Sequence, residues 1–127
     1  MILGIGTDMV SVARIRQALD RHGDRFAYRI LAPSERTAYH DAPEPERLLA
    51  KRFAAKEAFG KAYGTGVAVP ATLHSVAVGR DPRGKPHFVF HGPMGEIATR
   101  DGLRAHLSLS DELDYVIAFA VIEKDPT

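Results

Sequence analysis

The chain has 127 residues, 45% of them apolar, and a formal net charge of +1. A length of this order is read as one domain, residues 1–127, large enough to bury about two-thirds of its unfolded surface. The near-neutral charge argues against a general nucleic-acid binder, and the lack of cysteine rules out disulfides and thiolate metal sites. With no charged-then-apolar leader and no apolar run near the ~18 residues of a membrane span, a cytoplasmic protein without a membrane partner is expected.

Residues 2–10 read as a first strand, with glycines where something packs closely. Ser11 can cap a helix over about 12–22, with Val12, Ile15 and Leu19 on one face. A second short helix is expected near 24–31, and a third begins at Pro33-Ser34 with Ser34 as its cap. Pro43 and Pro45 mark a loop and the start of a long helix over about 45–63, which Gly64 ends.

The second half is mostly strands. One covers 74–79, a turn covers 80–84, and a returning strand covers 86–91. Gly92-Pro93 opens a helix to about 101. From 105 to 110 the pattern alternates, Leu107 and Leu109 on one side and His106, Ser108 and Ser110 on the other. A turn at 111–114 leads to the last strand, 115–123. These elements give an α+β fold: a largely antiparallel sheet of three to five strands with the long helix packed across it.

The last strand is apolar on both faces, so both should be buried. Either it is a central strand wrapped by its own helices, or one face meets a second subunit. In the second case the alanines assign Val116, Ala118, Ala120 and Ile122 to helix packing. Tyr115, Ile117, Phe119 and Val121 then form the interface.

The segment from Arg52 to Gly66 carries the most chemistry. Glu57 and Lys61 are one helical turn apart, and the small Ala54 and Ala58 let another backbone or a ligand come close. A carboxylate beside a cation suits a phosphate held with a divalent metal, but it is also an ordinary surface pair. Asp8 ends an apolar strand, where it could hold a metal, form a turn or cap the next helix. Arg52 and Lys56 lie on a different stripe of the helix. Gly64-Thr65-Gly66 is a helix-ending turn and a weak anion cradle by itself, since the C-terminal end of a helix repels anions. Arg14, Ala18, Arg21 and Arg25 share one face if the first helix continues, either a solvated face or a basic docking surface.

Four motifs occur in order: Gly4-Ile5-Gly6-Thr7-Asp8-Met9-Val10 followed by Arg14-Ile15; Arg52 to Ala58 with Lys61-Ala62 and Gly64-Thr65-Gly66; Gly84-Lys85-Pro86; and Ser108-Leu109-Ser110. Together they resemble the holo-acyl-carrier-protein synthase family, the small bacterial 4'-phosphopantetheinyl transferases. The resemblance implies that a serine hydroxyl of an acidic apo acyl carrier protein attacks the pantetheine-bearing phosphate of coenzyme A, releasing adenosine 3',5'-bisphosphate, in support of fatty acid biosynthesis. It implies a homotrimer with sites between subunits. Asp8 and Glu57 would be Mg²⁺ ligands, which suits an ion that prefers one or two carboxylates plus waters and substrate phosphates. Lys61 would hold a diphosphate oxygen. Gly64, Thr65 and Gly66 would line the coenzyme A pocket, with Lys85 and Pro86 over the adenine side and Ser108 in the last coenzyme A motif. Arg52, on its separate stripe, is assigned to the ribose 3'-phosphate, and Lys56 is read as a solvated or structural lysine. Arg14, Arg21 and Arg25 would dock the carrier.

Many relatives have histidine after the Ser-x-Ser motif, whereas this chain has Asp111 and then Glu112. Asp111 is therefore a candidate base as well as a plain turn residue. Water, another carboxylate or the phosphate itself could serve instead. Two other functions stay open: a non-catalytic coenzyme A or nucleotide-binding module, and a structural oligomer whose charged helix is only surface. The pairing of Asp8 with Glu57 discriminates, because a binding module has no need of two metal-holding carboxylates.

Overall fold

Three antiparallel strands and one helix set the frame of the molecule. The computed structural model describes residues 1–126. Strands β1 (Ile2–Ser11), β4 (Leu103–Asp111) and β5 (Tyr115–Lys124) form a sheet in the order β1-β5-β4. Helix α4 (Pro45–Tyr63) packs on its inner face, chiefly over β1 and β5. Pro45 stands in the first turn of α4, where its missing N–H costs nothing. Gly64 ends the helix at φ 100°, in the left-handed region that favours glycine.

The helix and β1 meet backbone to backbone. A Cβ at Gly4 would lie 1.9 Å from the Ala62 carbonyl oxygen, and one at Gly6 would lie 2.1 Å from that of Ala58. The close approach expected along Ala54 and Ala58 is thus made at Ala58 and Ala62, by a strand of the same chain. Ala54 and Ala58 are fully buried.

On β5 the two apolar sets separate as expected. Val116, Ala118, Ala120 and Ile122 are completely buried under α4 and its neighbours. Tyr115, Ile117 and Phe119 are 36–46% exposed on the outer face, which Ile5 and Met9 of β1 extend. That is a contiguous apolar surface of a kind uncommon on monomers.

Between β1 and α4 run α1 (Val12–His22), α2 (Asp24–Ile30), a 3-10 turn (Pro33–Glu35) and α3 (Arg36–Asp41). Ser11 caps α1, its hydroxyl accepting from the Arg14 amide at 3.3 Å. The first helix does not continue, however. Gly23, at φ 62°, breaks it and starts α2 in a new direction, so Arg25 leaves the face of Arg14 and Arg21. Ser34 is not a cap either. Glu35 does that work, taking the Ala32 amide at 2.9 Å.

After α4 come the hairpin strands β2 (Val76–Arg80) and β3 (Pro86–Phe90), then α5 (Gly92–Asp101). The hairpin turn is tied by Asp81, whose Oδ1 accepts from the amides of Arg83 and Lys85 at 2.8 and 2.9 Å. The hairpin is a separate two-stranded sheet, and its Phe88 and Phe90 pack against Phe59 of α4. The fold is α+β, and the five strands among the described residues divide three and two.

Candidate active site

Asp8 lies on the inner face of β1, opposite Ala118 and beside the last two turns of α4. Lys61 reaches it from the helix. Its ammonium donates to Asp8 Oδ1 at 3.1 Å and to the Thr7 carbonyl at 3.0 Å. Asp8 is mostly covered, its side chain 18% exposed, while that of Lys61 is 53% exposed. Lys61 therefore pairs with Asp8 of the strand rather than forming a simple surface pair with Glu57 one turn away.

Glu57 is half-buried on the same part of α4. Burial, and then the negative charge of Asp8, push its carboxyl above the usual carboxylate range, with Lys61 opposing. The Asp8 charge thus repels that of Glu57 in a partly desolvated corner. A divalent cation relieves that repulsion, and a donor set of two hard carboxylates is the kind Mg²⁺ uses. Among the described residues no group of three or more His, Cys, Asp or Glu converges. Asp8 and Glu57 fit a cation that completes its shell with water and substrate oxygens.

The Gly64-Thr65-Gly66 turn follows Lys61 directly. The amides of Gly64 and Gly66 both donate to the Gly60 carbonyl at 3.0 Å. Gly60 allows this fold-back, since a Cβ there would lie 2.6 Å from the Gly66 carbonyl carbon. Gly66 itself has φ 68°, and Thr65 is exposed.

The other expected residues lie elsewhere in the chain. Lys85 and Pro86 line a cavity between the hairpin and β4, and Pro86 also borders a second one with Lys51, Arg80 and Asp111. Asp111 and Arg47 are 2.5 Å apart, and Lys51 approaches the other oxygen at 3.2 Å. Burial raises the Asp111 carboxyl, but the hydrogen bonds and charges of Arg47 and Lys51 outweigh it, leaving the group below the usual range. A carboxylate so held is a poor proton acceptor, which corrects its reading as a base. Ser108 is exposed on the outer face of the sheet, paired with Phe119, and Phe119 pairs in turn with Thr7. It therefore faces away from Asp8 of its own chain.

Arg52 is also corrected. It is only 7% exposed, and its guanidinium donates to Glu35 Oε2 at 2.9 Å and to the Val78 carbonyl at 2.6 Å. The separate stripe holds, but it points into the interior, so Arg52 is not presented to a phosphate. Lys56 shares that destination and is structural rather than solvated. Arg14 and Arg21 border a shallow groove on α1, whereas Arg25 borders another with Phe26 and Arg29 on α2.

Two residues that organise these regions escape a reading of the sequence. Arg47 ties α4 to the β4–β5 turn, donating to Asp111 and to the carbonyls of Glu112 and Leu113. Glu35 anchors Arg52 and Lys56. Its signal was present: Leu49, Arg52, Lys56 and Phe59 follow a core spacing of three and four. Two cations on a buried stripe require a buried carboxylate.

Residues 4–120 match the model of the 4'-phosphopantetheinyl transferase superfamily. A holo-[acyl-carrier-protein] synthase of Aromatoleum aromaticum is 61% identical over 124 residues, which cover 98% of this chain and 99% of that one. The crystal structure of a holo-[acyl-carrier-protein] synthase from Neisseria meningitidis superposes with a TM-score of 0.92 at 46% identity, covering 98% of this chain and 100% of the other. A holo-(acyl-carrier-protein) synthase from Bacillus anthracis, in complex with CoA (3',5'-ADP), gives 0.82 at 32% identity and 99% coverage of both chains. With its motifs, its fold and nearly its whole length in common with these proteins, the chain belongs to the 4'-phosphopantetheinyl transferase superfamily.

Proposed function

We propose that the chain transfers the 4'-phosphopantetheine group of coenzyme A to a serine of an apo acyl carrier protein, in support of fatty acid biosynthesis. The observation that carries this reading is the meeting of Asp8, Glu57 and Lys61 where β1 passes α4, in a chain so close to named synthases. The complex of the Bacillus anthracis relative supports coenzyme A as co-substrate.

In this reading Asp8 and Glu57 hold Mg²⁺. A cation held by these two carboxylates would supply positive charge against that growing on the departing adenosine bisphosphate. Lys61 pairs with Asp8 and is exposed enough to turn one donor toward a diphosphate oxygen. The Gly64–Gly66 turn follows Lys61 directly, and its two glycines border open space. Asp111, tied to two cations, does not take the serine proton; water, another carboxylate or a phosphate oxygen does.

Asp8, Glu57 and Lys61 cluster at the C-terminal end of α4, while Asp111, Lys51 and Pro86 group toward its N-terminal half, and Ser108 faces the opposite side of the sheet. This division supports a site completed by a second copy, and with it a homotrimer joined through the outer apolar face. Work in the cytoplasm is part of this proposal; no helix among the described residues is long and apolar enough to cross a membrane.

The test is direct. The protein is incubated with apo carrier, coenzyme A and Mg²⁺, and the carrier is weighed by mass spectrometry. A gain of one phosphopantetheine group is expected. An unchanged mass with a competent carrier and a folded protein would favour a coenzyme A-binding module.

A further inference from the structure

Three charged side chains sit in the interior and take part in no step above. Glu35, Arg52 and Lys56 are 1%, 7% and 1% exposed. Lys56 uses all three of its donors, to the Ile30 carbonyl at 2.7 Å, the Leu73 carbonyl at 2.6 Å and Glu35 Oε1 at 2.5 Å. Glu35 accepts from four groups: Lys56, Arg52, the Ala32 amide at 2.9 Å and the Val78 amide at 3.1 Å. The end of α2, the 3-10 turn, the segment after the glycine turn and strand β2 therefore all converge on α4.

Such a cluster is a weak source of stability. Desolvation of buried ions is costly, and apolar replacements of similar shape are often neutral or better. Two positive charges against one negative make it costlier still, and burial pushes the Lys56 ammonium below its usual range. What the cluster does supply is direction. Lys56 immediately precedes Glu57, so its three fixed bonds set the rotation of α4 about its own axis. At a side-chain radius of about 5–6 Å, a turn of about 20° would displace the Glu57 carboxylate by about 2 Å. The bond to the Leu73 carbonyl moors the far end of the segment that begins with Gly64-Thr65-Gly66.

We propose that Glu35 and Lys56 are positioning residues for the transfer reaction: they aim Glu57 at Asp8 and hold the Gly64–Leu73 segment against the same helix. The proposal rests on the reading of Asp8 and Glu57 as the cation site.

The variants Lys56→Met and Glu35→Gln keep size and remove charge. Folding is checked by circular dichroism and thermal melting. Binding of Mn²⁺, as a probe for Mg²⁺, is then measured by calorimetry, together with KM for Mg²⁺, coenzyme A and carrier. A folded variant is expected to bind Mn²⁺ about tenfold or more weakly, the range typical when the support of a metal ligand is removed. KM for Mg²⁺ and coenzyme A should rise while KM for the carrier stays within about twofold, a split that general loosening would not produce. Asp8→Ala is the control. If it binds Mn²⁺ as the wild type does, the cation-site reading fails. If it loses Mn²⁺ while Lys56→Met and Glu35→Gln bind normally, the positioning proposal fails and the site reading stands. Should Lys56→Met not fold, Glu35→Gln decides by the same criterion. Collapse of both would assign the cluster to stability and overturn the proposal.

Discussion

Lys61 of α4 pairs with Asp8 of β1 across 3.1 Å, joining strand and helix through residues 53 apart in sequence at the point where the chemistry is proposed. The pair also explains the state of Glu57. Its carboxyl is pushed upward by burial and by Asp8, and one lysine offsets only part of that. The corner is one positive charge short of comfort.

Asp8→Ala and Glu57→Ala should each abolish most transfer while leaving the fold intact. Loss of one hard ligand and its charge should cost about 3 kcal/mol or more of transition-state stabilisation, a rate loss above a hundredfold. Steady-state kinetics at saturating Mg²⁺, alongside circular dichroism, check this. Near-normal turnover in either variant would remove that residue from the cation site.

Arg14→Glu should raise KM for the carrier well above any change for coenzyme A. Arg14 is exposed beside Arg21 on α1, where a positive field can steer an acidic partner. Added salt should shrink the defect, since screening acts over about 8 Å at physiological ionic strength. Equal rises in both constants, or a defect indifferent to salt, would show that the carrier docks elsewhere.

Phe119→Lys should yield smaller species and lost activity together. Phe119 is 43% exposed in the middle of the outer apolar face and lies between Thr7 and Ser108. Light scattering and transfer assays on the same samples decide the matter. A wild-type protein that is monomeric and fully active at micromolar concentration would end the idea of a shared site.

Tyr39 should make the fold sensitive to alkali. Burial first, then the hydrogen bond to Asp24 at 3.0 Å and nearby charges, push its phenol from 10.0 to about 12. The folded state therefore holds the proton more tightly than the unfolded chain. That stabilisation is complete below pH 10 and is lost as pH rises through about 12. Denaturant melts across this window should show wild-type stability falling more steeply than that of Tyr39→Phe. Parallel slopes would contradict the raised phenol.

Much of the fold was legible because the strongest signals are local. Pro45 and Gly64 bracket α4 within a residue of expectation, and the alternation of β5 sorts its buried set correctly. What a strand pairs with is not local, so the separation of β2–β3 from the main sheet was not visible. The break between the helices over 12–22 and 24–31 was legible, but a face shared by Arg14, Arg21 and Arg25 held only if the first helix continued, which Gly23 with its positive φ prevents. The Asp8–Glu57–Lys61 cluster was anticipated from motifs. Arg52 was misread because its partner Glu35 lies in Pro33-Ser34-Glu35, which has the composition of a surface turn. A carboxylate there looks solvated until the two cations that need it are seen to point inward.

The contact of Gly4 and Gly6 with α4 has a consequence for how such a sequence can drift. No side chain lies between the strand and the helix at these points, so none can adjust when others change. The approach of β1 to α4 beside Asp8 and Glu57 is thus a main-chain contact, while the rotation of the helix rests on Glu35 and Lys56. Apolar side chains deeper in the core can trade volume with one another. Positions 4 and 6 have no such latitude, since even a methyl group there would wedge the two carboxylates apart.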